Sequence, residues 1–286
     1  MVKGICALYG NETDLMESHI FPKFVIKHTK KTGSKFLRKL VEPNKREQDG
    51  IKHHLLSFKA EQDFAVREKW FAENIFEPYL QGYTELDYNE NLYYFSVSFL
   101  WRILLSEFKT TANLKNQWYF KLLQEVEEEW KLYLRIGTIP RKFHNVNLFL
   151  TDRIESHTTD LKGVDFYFTR ALDGTIVTGP NQEHLILYGK FNRFIFWSVI
   201  KSPKYLDELY DVEIHPKGGN IEIPQPLEYE PIINFMTNRI KKISEFALPN
   251  ETQQDRIAQE IMKDPESFWK SDVGQSLYND RFNLEK

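Results

Sequence analysis

The sequence predicts an α+β fold, on three observations. Helical periodicity dominates residues 89–135, strand-sized apolar runs cluster within residues 147–223, and helical patterns return after residue 228. Strands grouped in mid-chain and flanked by helices argue against alternating βαβ units.

The first eighty residues read as a small irregular unit. A strand-like piece, Gly4–Leu8, leads to a turn at Gly10-Asn11, then to Met16–Ile20 and Pro22. Lys23–Leu40 is basic and broken at Gly33, and Pro43–Gly50 reads as loop because Pro, Asn, Asp and Gly cluster there. A helix is expected over Glu61–Tyr79, with Phe64, Phe71 and Ile75 on one stripe.

Residues 81–286 read as an α+β body. One helix is expected over Asn89–Phe108, placing Leu92, Phe95, Phe99 and Ile103 on one face. Another covers Asn113–Arg135, where Leu114, Trp118, Leu122, Val126 and Trp130 recur every four residues. Its acidic run Glu125–Glu129 reads as a solvated outer side. After Gly137 and Pro140, Asn147–Thr151, Phe166–Leu172 and Thr175–Thr178 read as strands, the last two joined at Asp173-Gly174. His184–Tyr188 and Phe191–Ile200 read as a hairpin around Gly189-Lys190. Val212–Ile214 and Ile221–Ile223 bracket a turn at His215–Asn220, and helices are expected over Glu228–Glu245 and Thr252–Lys263. Consecutive aromatics such as Phe194, Phe196 and Trp197 point to both faces of a strand, so the sheet is expected to be covered on both sides.

At 286 residues the chain can bury a sizeable core without a disulfide or metal staple. No run approaches the ~18–20 apolar residues of a membrane span. The N-terminus lacks a secretory pattern, and the single cysteine, Cys6, rules out an internal disulfide. A cytoplasmic protein without a membrane partner is expected. Charge is unevenly spread: residues 1–60 hold twelve Lys/Arg against six Asp/Glu, leaving 26 against 35 in the rest. A basic front end attracts phosphate, although a solvated basic face gives the same count.

Three short stretches carry the chemical information: Cys6-Ala7-Leu8-Tyr9, Glu17-Ser18-His19-Ile20-Phe21-Pro22, and Leu55-Leu56-Ser57-Phe58-Lys59-Ala60-Glu61. Their order and spacing resemble the HNH (treble-clef, His-Me finger) endonuclease family. That family has a CxxC knuckle, a strand ending in a catalytic histidine before a proline, and a second cysteine pair opening a helix. The resemblance covers roughly residues 4–80. On the family's four zinc positions stand Cys6, Tyr9, Ser57 and Ala60, so no structural zinc is expected. Cys6 then reads as a buried thiol under the first strand. His53 and His54 lie near the third position.

The resemblance implies a DNA-directed, metal-dependent nuclease or a close derivative, of a kind frequent in bacterial defence and mobile-element systems. His19 would be the general base, since a neutral imidazole takes a proton near pH 7. Glu61, with Asp49, would hold Mg²⁺ or Mn²⁺ through oxygen. Each has a structural alternative: an acid in a helix's first turn suits the dipole, and a loop Asp-Gly is ordinarily a turn. The chain departs from the pattern at Ser18, where many members have an aspartate, and at Lys52, where an asparagine is usual; Asn44 is the nearest asparagine. Lys23, Lys27, Lys30, Lys31, Lys35, Arg38 and Lys39 follow the His-x-x-Pro element and would contact phosphates. The alternative reading is a non-catalytic nucleic-acid- or protein-binding subunit on a retired scaffold, whose acidic, aromatic body contacts a partner protein or a second copy. His215-Pro216-Lys217-Gly218-Gly219 has the look of a phosphate loop but lacks GK[ST] and a following helix.

Overall fold

The computed structural model describes residues 2–203, 209–246 and 248–282. The chain begins with β1 (Val2–Ile5), β2 (Glu12–His19), α1 (Lys23–Lys31), β3 (Leu37–Lys39), β4 (Glu42–Glu47) and β5 (Lys52–Ser57). Then come α2 (Phe58–Phe71), a π turn over Ala72–Phe76, α3 (Glu77–Leu80), β6 (Glu85–Asn89) and α4 (Glu90–Thr110). A 3₁₀ turn at Leu114–Asn116 precedes α5 (Phe120–Ile136), followed by β7 (Asn147–Leu150), α6 (Val164–Arg170), β8 (Leu172–Thr178), β9 (Leu185–Phe191) and β10 (Phe194–Lys201). The chain closes with β11 (Gly218–Glu222), α7 (Glu230–Glu245), α8 (Glu251–Met262), α9 (Pro265–Lys270) and α10 (Asp272–Phe282). The fold is α+β, and every strand pairing among the described residues is antiparallel.

The central sheet runs β7-β10-β9-β8, and both of its faces are buried. Alternate residues feed two apolar clusters. Leu185, Leu187, Phe191, Phe194 and Phe196 join the larger, with α4 over them. Ile186, Tyr188, Ile195 and Trp197 join the smaller, with Ile232, Met236 and Ile240 of α7. From Phe95 through Leu105 every residue of α4 is buried, as expected of a helix apolar on all sides. The larger cluster also takes in Leu8, Ile20, Val25, Leu55 and Phe64, so the first eighty residues share their core with the body. Among the described residues no helix is long and apolar enough to cross a membrane.

Several elements differ from the sequence reading. Phe166–Leu172 is not a strand: α6 occupies Val164–Arg170, with Val164 and Tyr167 turned into the smaller cluster. Asp173-Gly174 is not a turn but lies within β8, opposite Lys190 and Gly189 of β9. This glycine pair lets α4 approach the sheet, since a Cβ on Gly174 would meet Ile103 Cδ1 at 3.0 Å and one on Gly189 would meet Phe99 Cε1 at 2.7 Å. The β9–β10 hairpin turns at Asn192-Arg193 instead of Gly189-Lys190, with Asn192 at φ 47°. Pro43–Gly50 is partly strand: among the described residues β4 pairs only with β3, so Pro43 needs no second partner. The helix expected over Glu61–Tyr79 starts at Phe58, capped by Ser57, and widens into a π turn just before Pro78, which has no N–H to continue an α ladder. The helix expected from Asn113 begins at Phe120, and β5, β6, α9 and α10 gave no recognised signal.

Candidate functional site

The first candidate site is built on β2, β5 and α2. β2 and β5 pair antiparallel, with a register shift between Met16 and Glu17 that leaves Ser18 opposite His53 and His19 opposite Lys52. His19 is the last residue of β2, and Pro22 caps the following α1. Ile20 N–H donates to the Ile51 carbonyl at 3.0 Å, closing the end of the hairpin.

Beneath His19 lies an arginine that the sequence reading passed over. Arg102 of α4 is 3% exposed, yet its Nη1 donates to the His19 carbonyl at 3.1 Å and contacts Glu68 Oε1 of α2 at 2.7 Å. Its Nε donates to the Ser98 carbonyl at 3.3 Å. Burial raises the Glu68 carboxyl above its ordinary value, while Arg102 opposes that shift. The guanidinium thus joins two helices and the end of a strand at one point. An arginine within Phe99-Leu100-Trp101-Arg102-Ile103-Leu104-Leu105 was the available signal.

His19 is half-buried, and its Nε2 is itself buried, with no hydrogen-bond partner among the described residues. Burial lowers its pKa below the ordinary 6.5, and the Lys52 and Lys23 ammoniums push the same way while Asp49 and Glu61 oppose them. Asp49 and Glu61 each lie within electrostatic reach of His19. Glu61, in the first turn of α2, has Oε1 buried without a donor. Asp49 is exposed and pairs with Lys52 Nζ at 3.0 Å, which also reaches Glu17 Oε2 at 3.2 Å. That lysine holds the Asp49 carboxyl below its ordinary value. Among the described residues no three His, Cys, Asp or Glu side chains converge as a ready metal cluster.

The four positions matched to zinc ligands do meet, around the Cys6 sulfur. Sγ accepts from Tyr9 N–H at 3.5 Å and Ser57 N–H at 3.3 Å, and lies 3.5 Å from Ser57 Oγ. Ser57 Oγ in turn accepts from Ala60 N–H at 3.2 Å, capping α2. Burial pushes the Cys6 thiol up, but its hydrogen bond with the Ser57 side chain and those from the backbone N–H groups around it leave it below its ordinary value. One thiol and one hydroxyl do not fit structural zinc, which takes four ligands. Hydrogen bonds hold this knuckle closed, and Tyr9 turns its hydroxyl away to Asp63.

The basic residues divide into two groups. Lys23, Lys27, Lys30 and Lys31 fall within a 100° arc of α1, opposite the buried Val25, Ile26 and Thr29. Lys23, Lys27 and Lys31 are exposed, whereas Lys30 Nζ donates to the Gln48 carbonyl at 2.9 Å. Lys35 is exposed in the loop after α1. Arg38 is held within the fold: Nη1 donates to the Pro43 carbonyl at 2.6 Å and Nη2 to Gln253 Oε1 of α8 at 3.0 Å. Lys39 pairs with Glu47 at 3.0 Å. No protein-family profile, curated protein or solved structure matches this chain.

Proposed function

We propose that the chain is a metal-assisted phosphodiesterase acting on DNA in the cytoplasm, with its site at the β2–β5–α2 junction. The observation that carries the reading is the environment of His19. It has an imidazole held below its ordinary pKa, a ring nitrogen without a partner, and two carboxylates in electrostatic reach. A neutral imidazole takes the proton of an attacking water, and Arg102 fixes the backbone from which it projects. The lysine arc of α1, starting beside His19, holds the phosphate backbone as a point-charge rail.

Glu61 fits a hard cation, because its buried Oε1 has no donor and carboxylate oxygen is what Mg²⁺ or Mn²⁺ prefers. Asp49 would be the second ligand on release from Lys52. When bound, the ion would polarise the phosphoryl oxygen.

A second reading, a binding subunit on a retired nuclease scaffold, is favoured by Lys52. Its ammonium already neutralises Asp49 and Glu17, as a cation at that place would. Plasmid DNA incubated with Mg²⁺ or Mn²⁺ separates the two. Cleavage lost with chelator and in both His19→Ala and Glu61→Ala supports the enzyme. Intact plasmid with every metal, or cleavage unchanged in both variants, supports the scaffold.

A further inference from the structure

Helix α2 carries a second set of polar residues. Lys59, Asp63 and Arg67 recur every four residues, on the opposite side of the buried Ala60–Phe64–Phe71 stripe from Glu61 and Glu68. They line a cleft of about 760 Å³, shared with the start of α4, the end of α5 and the turn before β11. This volume lies within the range of small-ligand sites, roughly 300–1,000 Å³.

Four cations line that cleft: Lys59, Arg67, Arg135 and Lys217. None of the four forms an ion pair among the described residues. Two carboxylates share the lining, Asp63, which accepts the Tyr9 hydroxyl, and Glu90 in the first turn of α4, so the cations outnumber the anions by four to two. Arg67 Nε is buried without an acceptor while the guanidinium lies 4.8 Å from the Tyr94 ring. Unpaired positive charge in a concave site is an anion-binding arrangement, and guanidiniums match phosphate oxygens in particular.

The position of Lys217 is specified by its neighbours. Gly218 stands at φ 129°, where a Cβ would meet the Tyr88 carbonyl oxygen at 2.6 Å, so the turn after Lys217 requires glycine. Tyr88 Oη accepts from His215 N–H at 3.1 Å, fixing the turn from the other side. The His-Pro-Lys-Gly-Gly segment has no P-loop geometry, yet it delivers a lysine to a basic cleft. An apolar face stands beside the charges: Tyr94 and Tyr133 pack 5.7 Å apart, and Ile136 and Ile139 line the cleft while 67% and 41% exposed.

We propose that this cleft binds a nucleoside phosphate, with Arg67, Arg135, Lys217 and Lys59 on the phosphates and the base against the Tyr133–Ile136–Ile139 side. The same chemistry is offered by a free nucleotide and by the 5′-phosphorylated end of a single strand. The cleft lining does not include His19, whose electrostatic neighbour on α2 is Glu61.

Calorimetric titration of the full chain tests it with ATP, adenosine, inorganic phosphate and a short 5′-phosphorylated oligonucleotide. Arg135 and Lys217 are exposed, so the Arg135→Glu/Lys217→Glu pair leaves the core untouched. ATP or the oligonucleotide is expected to bind, with adenosine and inorganic phosphate weaker by at least about tenfold, a difference of ~1.4 kcal/mol. The paired reversal is expected to weaken binding about tenfold per charge with an unchanged circular dichroism spectrum, while His19→Ala binds as the wild type does. Tighter binding of the oligonucleotide than of ATP, lost in the Arg135→Glu/Lys217→Glu pair, assigns the strand end, and the reverse order assigns a free nucleotide. The proposal is overturned if neither ligand binds, if the reversals leave affinity unchanged, or if inorganic phosphate or adenosine binds as tightly as ATP.

Discussion

Arg102 donates from α4 to the main-chain carbonyl of His19 at 3.1 Å, and the same nitrogen lies 2.7 Å from Glu68. The arginine and glutamate side chains are only 4% and 18% exposed. Removing one partner strands the other charge in the core, which costs about 3–5 kcal/mol, whereas replacing both by apolar groups is much milder. Arg102→Met is therefore expected to destabilise the fold by roughly 3 kcal/mol or more, and Arg102→Met with Glu68→Leu by far less. Urea denaturation of the single and double variants checks this. Equal losses in both would show that the pair does not act as a unit.

Lys190 provides a second buried basic group, fully enclosed within β9, where burial brings its ammonium down from 10.5 to about 7. Its ammonium donates to the Phe168 carbonyl at 3.1 Å, the Ala171 carbonyl at 3.3 Å and the Asn192 carbonyl, tying the end of α6 to the hairpin turn. A cation suits that helix end, and its three donors match three acceptors. Lys190→Met keeps the stem's packing but leaves those carbonyls unpaired, so a loss of roughly 2–4 kcal/mol is expected. Its check is the denaturant midpoint at unchanged m-value.

These two residues show which part of the fold the sequence carried. Helix α4 was legible because Leu92, Phe95, Phe99 and Ile103 keep a helical period, and the β9 and β10 strands, though not their turn, because continuous apolar runs such as Phe194–Trp197 fit a strand buried on both faces. The Asp173-Gly174 pair was misread because its glycine answers a tertiary demand, the approach of Ile103, while Asp173 pairs with Arg239 of α7 at 2.8 Å. Aromatic Phe166–Phe168 looks like a strand in isolation, and only packing onto the smaller cluster makes it α6. At the candidate site, His19, Asp49 and Glu61 were singled out by the resemblance alone, and the structure places both acids near enough to His19 to act on its titration. The ion pairs of Lys52, Arg102 and Glu68 were not legible, since pairing across β2–β5 and contact between α2 and α4 leave no local pattern.

Asp272 governs the acid side of stability. It lies 3.6 Å from His28, 2.7 Å from Arg153 and 3.8 Å from Arg170, holding α10 against α1 and α6. Burial alone would raise its carboxyl, but the His28 hydrogen bond and the arginines bring it down from 3.8 to about 2. A depressed carboxyl contributes stability that is complete above its unfolded pKa and is lost as pH falls toward the folded one. The window is therefore from about pH 4 down to about pH 2. Discounted for its partial exposure, the contribution is on the order of 1–2 kcal/mol. Asp272→Asn should remove that part of the pH dependence, measured as denaturant midpoints across the window.

The lysine arc of α1 has a signature in salt. Each phosphate neutralised on duplex DNA contributes about −0.9 to the slope of log K against log salt. Lys27 and Lys31 are exposed, and neither forms an ion pair among the described residues. Lys27→Gln with Lys31→Gln should flatten the slope by about 2 and weaken binding equally across DNA sequences. Fluorescence anisotropy from low to moderate salt gives the slope directly. An unchanged slope would assign the arc to ordinary solvation and remove the rail from the proposed function.

His19 carries the remaining expectation, in the pH dependence of cleavage. The base must be neutral to accept a proton, and burial together with Lys52 and Lys23 moves protonation below the ordinary 6.5. Activity should therefore fall on the acid side with a midpoint below 6.5 and be flat through neutrality. Lys52 is the second-largest cause of the shift, so Lys52→Gln should move the midpoint upward while leaving Asp49 free to bind metal. Two readouts then move together: a higher acid midpoint and a lower Mg²⁺ requirement. A structural lysine would change stability and neither of these. Single-turnover cleavage from pH 5 to 8 at several Mg²⁺ concentrations measures both, and a midpoint unmoved by Lys52→Gln would remove His19 from the role of base.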